Sequence, residues 1–200
     1  MKKARRPYRM TARAAAAEET GRRLIEAMIT LFAERPYAEV TLEAVAEHAG
    51  VTLQTLLRRF GSKAGLFAAA VADGAARVEA QRGEAVPGDV RGAVTNLFAH
   101  YEEWGDVALR MLAQEESIDA IAAVAKQGRA THASWVERVF AAELTRHGRG
   151  RARQIRRAQL VAICDVYVWK LLRRDLGLAR PDAEKAMLGM LDALCTRGDA

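Results

Sequence analysis

The sequence predicts an all-α protein in which a small N-terminal domain is followed by a larger helical bundle. Apolar residues recur at spacings of three and four along most of the chain, and no segment shows convincing strand-type alternation. Glycine and proline fall mainly between these periodic segments. With 200 residues and 50% hydrophobic content, the chain is long enough to bury a sizeable core.

We divide the chain into four parts: a basic flexible arm over residues 1–17, a small helical domain over 18–65, a connecting helix over 66–83, and a larger helical domain over 84–200. The arm has no acidic residue among its first thirteen residues, and Pro7 disfavours helix there. A first helix is expected from about Glu18 to Glu34, with Leu24, Met28 and Leu31 on its buried side and Pro36 beyond its end.

Two short helices are expected next, joined by a turn. Thr41 is placed to cap a helix that starts at Leu42, and Gly50 ends it by adopting the left-handed conformation. Thr52 is placed to cap a second helix over Leu53–Phe60. These signals together predict a helix-turn-helix.

The second of these helices has the composition of a DNA-reading helix. Its buried positions are Leu56 and Phe60, so Gln54, Thr55, Arg58 and Arg59 face outward with groups that suit phosphates and base edges. The first 65 residues contain 12 basic and 7 acidic side chains, and residues 50–65 contain no acidic residue. Such a charge distribution favours DNA binding over the alternative of a helical hairpin packed in a core.

The segment Phe60-Gly61-Ser62-Lys63-Ala64-Gly65-Leu66-Phe67, together with the preceding helix-turn-helix, resembles the N-terminal domain of TetR-family transcriptional regulators. The sequence departs from the family pattern at Leu57, where the family usually has a tyrosine whose hydroxyl contacts phosphate. The residues expected to contact DNA are Thr41, Thr52, Gln54, Thr55, Arg58, Arg59 and Lys63, with Arg5, Arg6 and Arg9 of the arm.

A connecting helix is expected to begin near Ser62, which is placed to cap it, and to end near Gly83. Lys63 lies in its first turn, where a phosphate would pair with the lysine and the free backbone amides together. Gly83 to Gly88 forms the clearest boundary in the chain.

Five further helices are predicted after that boundary. Their expected ranges are 90–104, 107–115, 118–144, 152–176 and 182–196, separated by glycines such as Gly105 and Gly148, with Asp182 capping the last helix.

The resemblance implies that the last two long helices pack against their copies in a second subunit. We therefore expect a homodimer, and the alternative is that the same side chains fill the core of one chain. The candidate interface residues are Val161, Val168, Leu172, Met187, Met190, Leu191 and Leu194.

The resemblance also implies that the second domain binds a small, partly hydrophobic effector. Large apolar or amphipathic side chains with a few polar groups between them are available there, although such residues more often form simple core. The candidate residues are Phe98, Tyr101, Trp104, Met111, Gln114, His132, Trp135, Tyr167 and Trp169.

A helical enzyme or metal protein is the alternative from another functional class. His100 and Glu103 share a helix face and acidic residues lie nearby, but the order is the reverse of the Glu-x-x-His ligand motif and no second copy follows. We expect no enzyme activity, no metal and no cofactor. The basic residues between Arg149 and Arg157 are expected to be a solvated or ion-paired face.

Cys164 and Cys195 are too few for a disulfide framework, which favours a reducing, cytoplasmic location. No membrane-spanning segment and no secretory signal are expected, because the apolar runs are too short. The sequence thus predicts a dimeric regulator that binds an inverted repeat in double-stranded DNA, most often as a repressor that its effector releases. A nonspecific architectural DNA-binding protein stays open as a third alternative.

Overall fold

The computed structural model describes the backbone of residues 5–196 and the side chains of residues 14–195. Throughout that part of the chain the regular structure is helical and no strand occurs, which confirms the all-α prediction. The chain forms two compact units, Met1–Ala76 and Arg77–Ala200. No helix in the described residues is long and apolar enough to cross a membrane.

The N-terminal unit contains α1 (Arg5–Glu34), α2 (Leu42–His48), α3 (Leu53–Phe60) and the first part of α4 (Lys63–Gly83), with a 3₁₀ turn at Tyr37–Glu39. The predicted start of α1 at Glu18 is wrong, because the helix begins at Arg5. Pro7 falls in the first turn, where a backbone N–H has no helical partner in any case, and the alanines at 14–17 favour helix.

The core of this unit follows the predicted spacing. Leu24 and Met28 of α1, Val45 of α2, Leu56 of α3 and Leu66 of α4 are all completely buried. Each helix therefore contributes its apolar face to one shared core, which fixes the orientation of α3 within the unit.

The C-terminal unit contains the last residues of α4 and six further helices. Their bounds are α5 (Val90–Leu112), α6 (Asp119–Val139), α7 (Ala141–Arg146), α8 (Arg151–Ile163), α9 (Val166–Lys170) and α10 (Arg180–Thr196), with a π-helical turn at Leu171–Asp175. Its core is built around α5, whose Val94, Leu97 and Phe98 are at most 1% exposed.

Four predicted boundaries in this unit are wrong. The helix α5 continues through Gly105. This glycine is a packing position, since the Trp169 ring occupies the space that a side chain there would need. The predicted helix over 118–144 divides at Phe140, which is buried and packs edge-on against Trp135.

The predicted helix over 152–176 ends at Ile163 and restarts after Asp165, whose side chain caps α9 by accepting from the Tyr167 N–H. Asp182 is also not the cap of the last helix. That helix begins two residues earlier, and the Ala179 carbonyl accepts from the Asp182 and Ala183 N–H groups. Asp182 lies instead in the first turn, where its negative charge interacts favourably with the positive end of the helix dipole.

Candidate nucleic-acid interface

The turn between α2 and α3 is built from local hydrogen bonds that the sequence encodes. The Thr41 hydroxyl accepts from the Ala44 N–H at the start of α2, and the Thr52 hydroxyl accepts from the Thr55 N–H at the start of α3. Between them Gly50 has a φ of 64°, the left-handed conformation that reverses the chain after α2. The predicted bounds of α3 agree with those observed.

Arginine from α1 completes this turn. Arg23 donates to the Ala49 carbonyl at 3.0 Å and so satisfies a carbonyl at the end of α2. This hydrogen bond joins α1 to the turn that orients α3.

Close contact between α3 and α4 depends on Gly65. A Cβ atom at that position would collide with the Phe60 carbonyl oxygen, so only glycine allows α4 to begin this near the end of α3. Ser62 accepts from the Gly65 N–H at 3.1 Å, as its predicted capping role requires. Gly61, with a φ of 74°, makes the turn between the two helices.

The outward face of α3 carries the predicted reading residues. Gln54, Arg58 and Arg59 are exposed, whereas Leu56 is completely buried and Thr55 is half-buried. Within the described part of the chain, Gln54 and Arg58 form no hydrogen bond or ion pair with another side chain. Leu57, at the position where a tyrosine was expected, is 41% exposed and adds an apolar group to this face.

The Arg59 guanidinium lies against α1. It occupies the space that a side chain at position 21 would need, and its carbon Cζ is 5.7 Å from the centre of the Phe60 ring. Gly21 was not among the residues predicted for this site. The available signal was a glycine in the middle of a helix otherwise rich in alanine and charged residues.

Lys63 contacts its own chain through most of its ammonium group. It donates to the Tyr37 carbonyl and, at 3.4 Å, to the Ala38 carbonyl, and the ammonium lies 4.3 Å from the centre of the Tyr37 ring. Burial lowers the pKa of Lys63. An ammonium has three donors, so these contacts leave one for a phosphate oxygen.

All three threonines of the predicted site, Thr41, Thr52 and Thr55, already have intrachain partners. Thr41 and Thr52 use their hydroxyl oxygens as helix caps, and Thr52 also bonds the Thr55 hydroxyl at 3.0 Å. The predicted contacts Arg5, Arg6 and Arg9 lie outside the residues whose side chains the structure describes.

Residues 24–70 match the family model for bacterial regulatory proteins of the tetR family. This segment of the N-terminal unit is therefore similar to the DNA-binding domain of that family. The matched residues contain the whole of α2 and α3 and the start of α4, which are the elements that form the interface described above. A comparison of the sequence with curated proteins finds no match.

Solved structures share the fold along most of the chain. A protein assigned as a transcriptional regulator from Pseudomonas aeruginosa PAO1 has a TM-score of 0.67 and 16% identity, covering 88% of this chain and 90% of its own. A transcriptional regulator from Rhodococcus sp. Rha1 has a TM-score of 0.66 and 18% identity, covering 90% and 98%. A regulator from Saccharomonospora viridis in complex with choline has a TM-score of 0.61 and 18% identity, covering 88% and 96%.

The residues predicted to bind an effector occupy different environments in the C-terminal unit. Phe98, Tyr101, Trp104, Trp135 and Trp169 are buried, Met111, Gln114 and His132 are half-buried, and Tyr167 is 56% exposed. Tyr101, His132 and Trp135 lie together around the buried guanidinium of Arg82. Arg82 was not among the residues predicted from the sequence. Its position in the last turn of α4 was the sequence feature that could have pointed to it.

The predicted dimer residues also divide into two groups. Leu172, Met187 and Leu191 lie in the core of their own chain, and Val161, Val168 and Leu194 are half-buried. Met190 is 38% exposed and lines a groove of about 590 Å³ between α8 and α10, with Arg156, Gln159, Ala162, Ile163, Ala193 and Leu194. No group of three metal-ligating side chains occurs among the described residues.

Proposed function

We propose that this chain is a sequence-specific repressor of the TetR family that binds an inverted-repeat operator as a homodimer and leaves it when a small effector binds the C-terminal unit. The observation that carries this proposal is the exposed face of α3. There Gln54 and Arg58 are exposed without a side-chain partner among the described residues, on a helix that Thr52 caps at its start.

Arg58 is assigned to base reading and Lys63 to the phosphate backbone. A guanidinium can donate two parallel hydrogen bonds to a guanine edge, and the Arg58 side chain is free to reach one. The Lys63 ammonium is held at the start of α4 by backbone carbonyls, which suits a fixed contact to a phosphate.

The dimer is assigned to the groove between α8 and α10. The exposed Met190 lines it, and Ile155, earlier on α8, is another apolar side chain that is 49% exposed. A second copy of the chain would cover them and would present a second α3 to the DNA, at a separation set by the groove repeat of roughly 34–36 Å or a multiple.

Effector release requires the ligand to favour a conformation that binds the operator less well. The coupling free energy between the two sites is typically ~1–3 kcal/mol, which corresponds to a weakening of DNA binding by roughly 5- to 150-fold. The family comparison includes a regulator solved with choline, which supports a small-molecule site in this fold.

Selection of bound fragments from sheared genomic DNA of the source organism tests the proposal. A shared inverted repeat upstream of a few genes is expected. Fragments enriched without a shared sequence would instead favour the architectural alternative.

Variants then test the assignment of roles on the selected site by fluorescence anisotropy. Arg58→Ala should lose preference for the selected site over random DNA, with roughly 1–3 kcal/mol lost on the specific site. Lys63→Ala should weaken both DNAs equally and reduce the salt slope by about one. Arg151→Ala, which removes an exposed arginine of the C-terminal unit, is the matched control, and equal losses for Arg58→Ala on both DNAs would contradict base reading.

A further inference from the structure

A buried arginine lies inside the C-terminal unit among aromatic and imidazole side chains. Arg82, from the last turn of α4, is 5% exposed. Its Nη2 is 3.1 Å from His132 Nδ1, and its guanidinium carbon lies 4.1 Å from the centre of the Trp135 ring. The Tyr101 hydroxyl and His100 are close enough to interact with the same charge. We call Arg82, His100, Tyr101, His132 and Trp135 the Arg82 cluster.

Among the described residues, the guanidinium of Arg82 has no carboxylate paired with it. Arg138 acts on Arg82 as a like charge, and the carboxylate of Asp165 acts on Tyr101 and His132 without pairing with the guanidinium. Burial lowers the pKa of Arg82, yet a guanidinium stays protonated inside proteins. A buried cation without a paired anion is costly, and buried charges in native proteins are normally paired.

The neighbouring imidazoles are arranged as neutral groups. His132 Nε2 donates to the Val161 carbonyl at 3.1 Å, which leaves Nδ1 to accept from Arg82. Burial and the charge of Arg82 lower the pKa of His100 to about 3 and also lower that of His132. Neither histidine therefore adds a second positive charge. His132 already uses its one donor on the Val161 carbonyl, whereas neutral His100 is able to donate one hydrogen bond.

Two buried nitrogens in the cluster have no hydrogen-bond partner. They are His100 Nδ1 and Trp135 Nε1, in side chains that are 8% and 4% exposed. Buried polar groups are rarely left unpaired in native structures, so each calls for an explanation. The indole nitrogen can only donate, and a neutral imidazole nitrogen can donate in one tautomer, so both are able to bind an acceptor.

We propose that the Arg82 cluster is the effector site and that it takes the carboxylate of a small aromatic or aliphatic organic acid. A carboxylate supplies the missing negative charge to Arg82 and accepts from the unpaired nitrogens, while the rings of Tyr101 and Trp135 contact its apolar part. The inference rests on the proposed effector-controlled function, since it names the ligand class of that site. It also predicts that a cation such as choline does not bind here.

The binding test uses the full chain and matched probes. Benzoate, 2-naphthoate and octanoate are each compared with their uncharged primary amides, with binding followed by tryptophan fluorescence and isothermal titration. At least one acid should bind ten-fold or more tightly than its amide, and Arg82→Met should remove that difference. Arg151→Met is the matched control and should keep it. Equal binding of every acid and its amide to the unaltered chain would overturn the proposal.

A second measurement needs no ligand. If Arg82 is an unpaired cation that awaits an anion, Arg82→Met should raise the Tm of the ligand-free protein, because the charge is removed and the stem keeps its packing. If the arginine is instead a structural element satisfied by His132 and Trp135, the same variant should lower the Tm, and that outcome would count against the proposal.

DNA binding, measured separately, distinguishes this inference from the proposed function. Loss of the acid preference with intact operator binding would contradict only the ligand class. Acid binding by a chain that shows no sequence-specific DNA binding would overturn the proposed function and keep the anion site.

Discussion

Single residues determine where the exposed side chains of α3 lie, and Gly21 is the clearest example. Its missing side chain leaves room for the Arg59 guanidinium against α1. Glycine in the middle of a helix is costly by roughly 0.5–1 kcal/mol relative to alanine, so this position gives up helix stability for the contact.

A double-mutant cycle tests the role of Gly21. Gly21→Ala should displace the Arg59 side chain and change operator affinity, while the helix gains up to about 1 kcal/mol of stability. In an Arg59→Ala background the same substitution should leave affinity unchanged, because no guanidinium remains to be displaced. Anisotropy measurements on all four proteins check this, and additive effects on affinity would contradict the positioning role.

His100 gives the C-terminal unit a pH-dependent stability with a definite sign. Its pKa is about 3 in the folded chain, against about 6.5 when unfolded. Below pH 6.5 the unfolded state therefore binds a proton that the folded state does not, and each pH unit down to about 3 costs ~1.4 kcal/mol. The stability is fully present above pH 6.5 and is lost as the pH falls.

Chemical denaturation followed by tryptophan fluorescence checks this, since Trp104, Trp135 and Trp169 all belong to that unit. His100→Gln should flatten the loss of stability between pH 6.5 and 4. Some dependence should persist, because the pKa of His132 is also lowered. His48→Gln, which replaces an exposed histidine, should behave like the unaltered chain. An unchanged slope in His100→Gln would show that another group governs the acid sensitivity.

At the level of elements, the sequence predicted best where the signals are local. The bounds of α3 and the caps at Thr41, Thr52 and Ser62 depend on residues within three positions of one another, and the structure has them. The break predicted at Gly105 is wrong because this glycine is a packing position inside α5 rather than a helix end. Only the distant Trp169 ring shows this, and no local pattern encodes it.

The same contact predicts opposite outcomes for two glycines in helices of the C-terminal unit. A Cβ at Gly105 would lie 2.5 Å from the Trp169 ring, whereas one at Gly128 would meet nothing within 4 Å. Gly105→Ala should destabilise the unit by roughly 1–3 kcal/mol through overpacking, and Gly128→Ala should stabilise it by up to about 1 kcal/mol. Urea denaturation followed by tryptophan fluorescence compares the two, and a stabilising Gly105→Ala would mean that the ring moves aside freely.

Candidate sites were harder to predict than elements. The outward residues of α3 followed from helical spacing, because the buried positions define the exposed ones. The Arg82 cluster could not be predicted from helical spacing, since α4, α5 and α6 bring together residues that lie up to 50 positions apart in the sequence. Helical spacing identified Leu172, Met187 and Leu191 as apolar face residues but did not tell whether that face meets the same chain or another.

For the whole molecule, the proposed homodimer is expected to have the largest consequence for DNA affinity. Met190→Glu places a charge in the groove between α8 and α10 and should convert a dimer to monomers in sedimentation equilibrium. Loss of the second α3 should then weaken operator binding far more than random-DNA binding. Val86→Glu, at a residue 60% exposed and outside that groove, is the control. A dimer that survives Met190→Glu would assign the interface to another face.

The contact of Arg59 with α1 affects how the DNA preference of such a protein could be changed by exchanging helices. Transplanting α3 alone into a related scaffold would carry the arginine but leave behind the glycine that makes room for it. In a host with a larger residue at the position of Gly21, the guanidinium would point elsewhere and the transferred helix would not reproduce its preference. The smallest portable reading unit of this chain is therefore α3 together with the facing turn of α1.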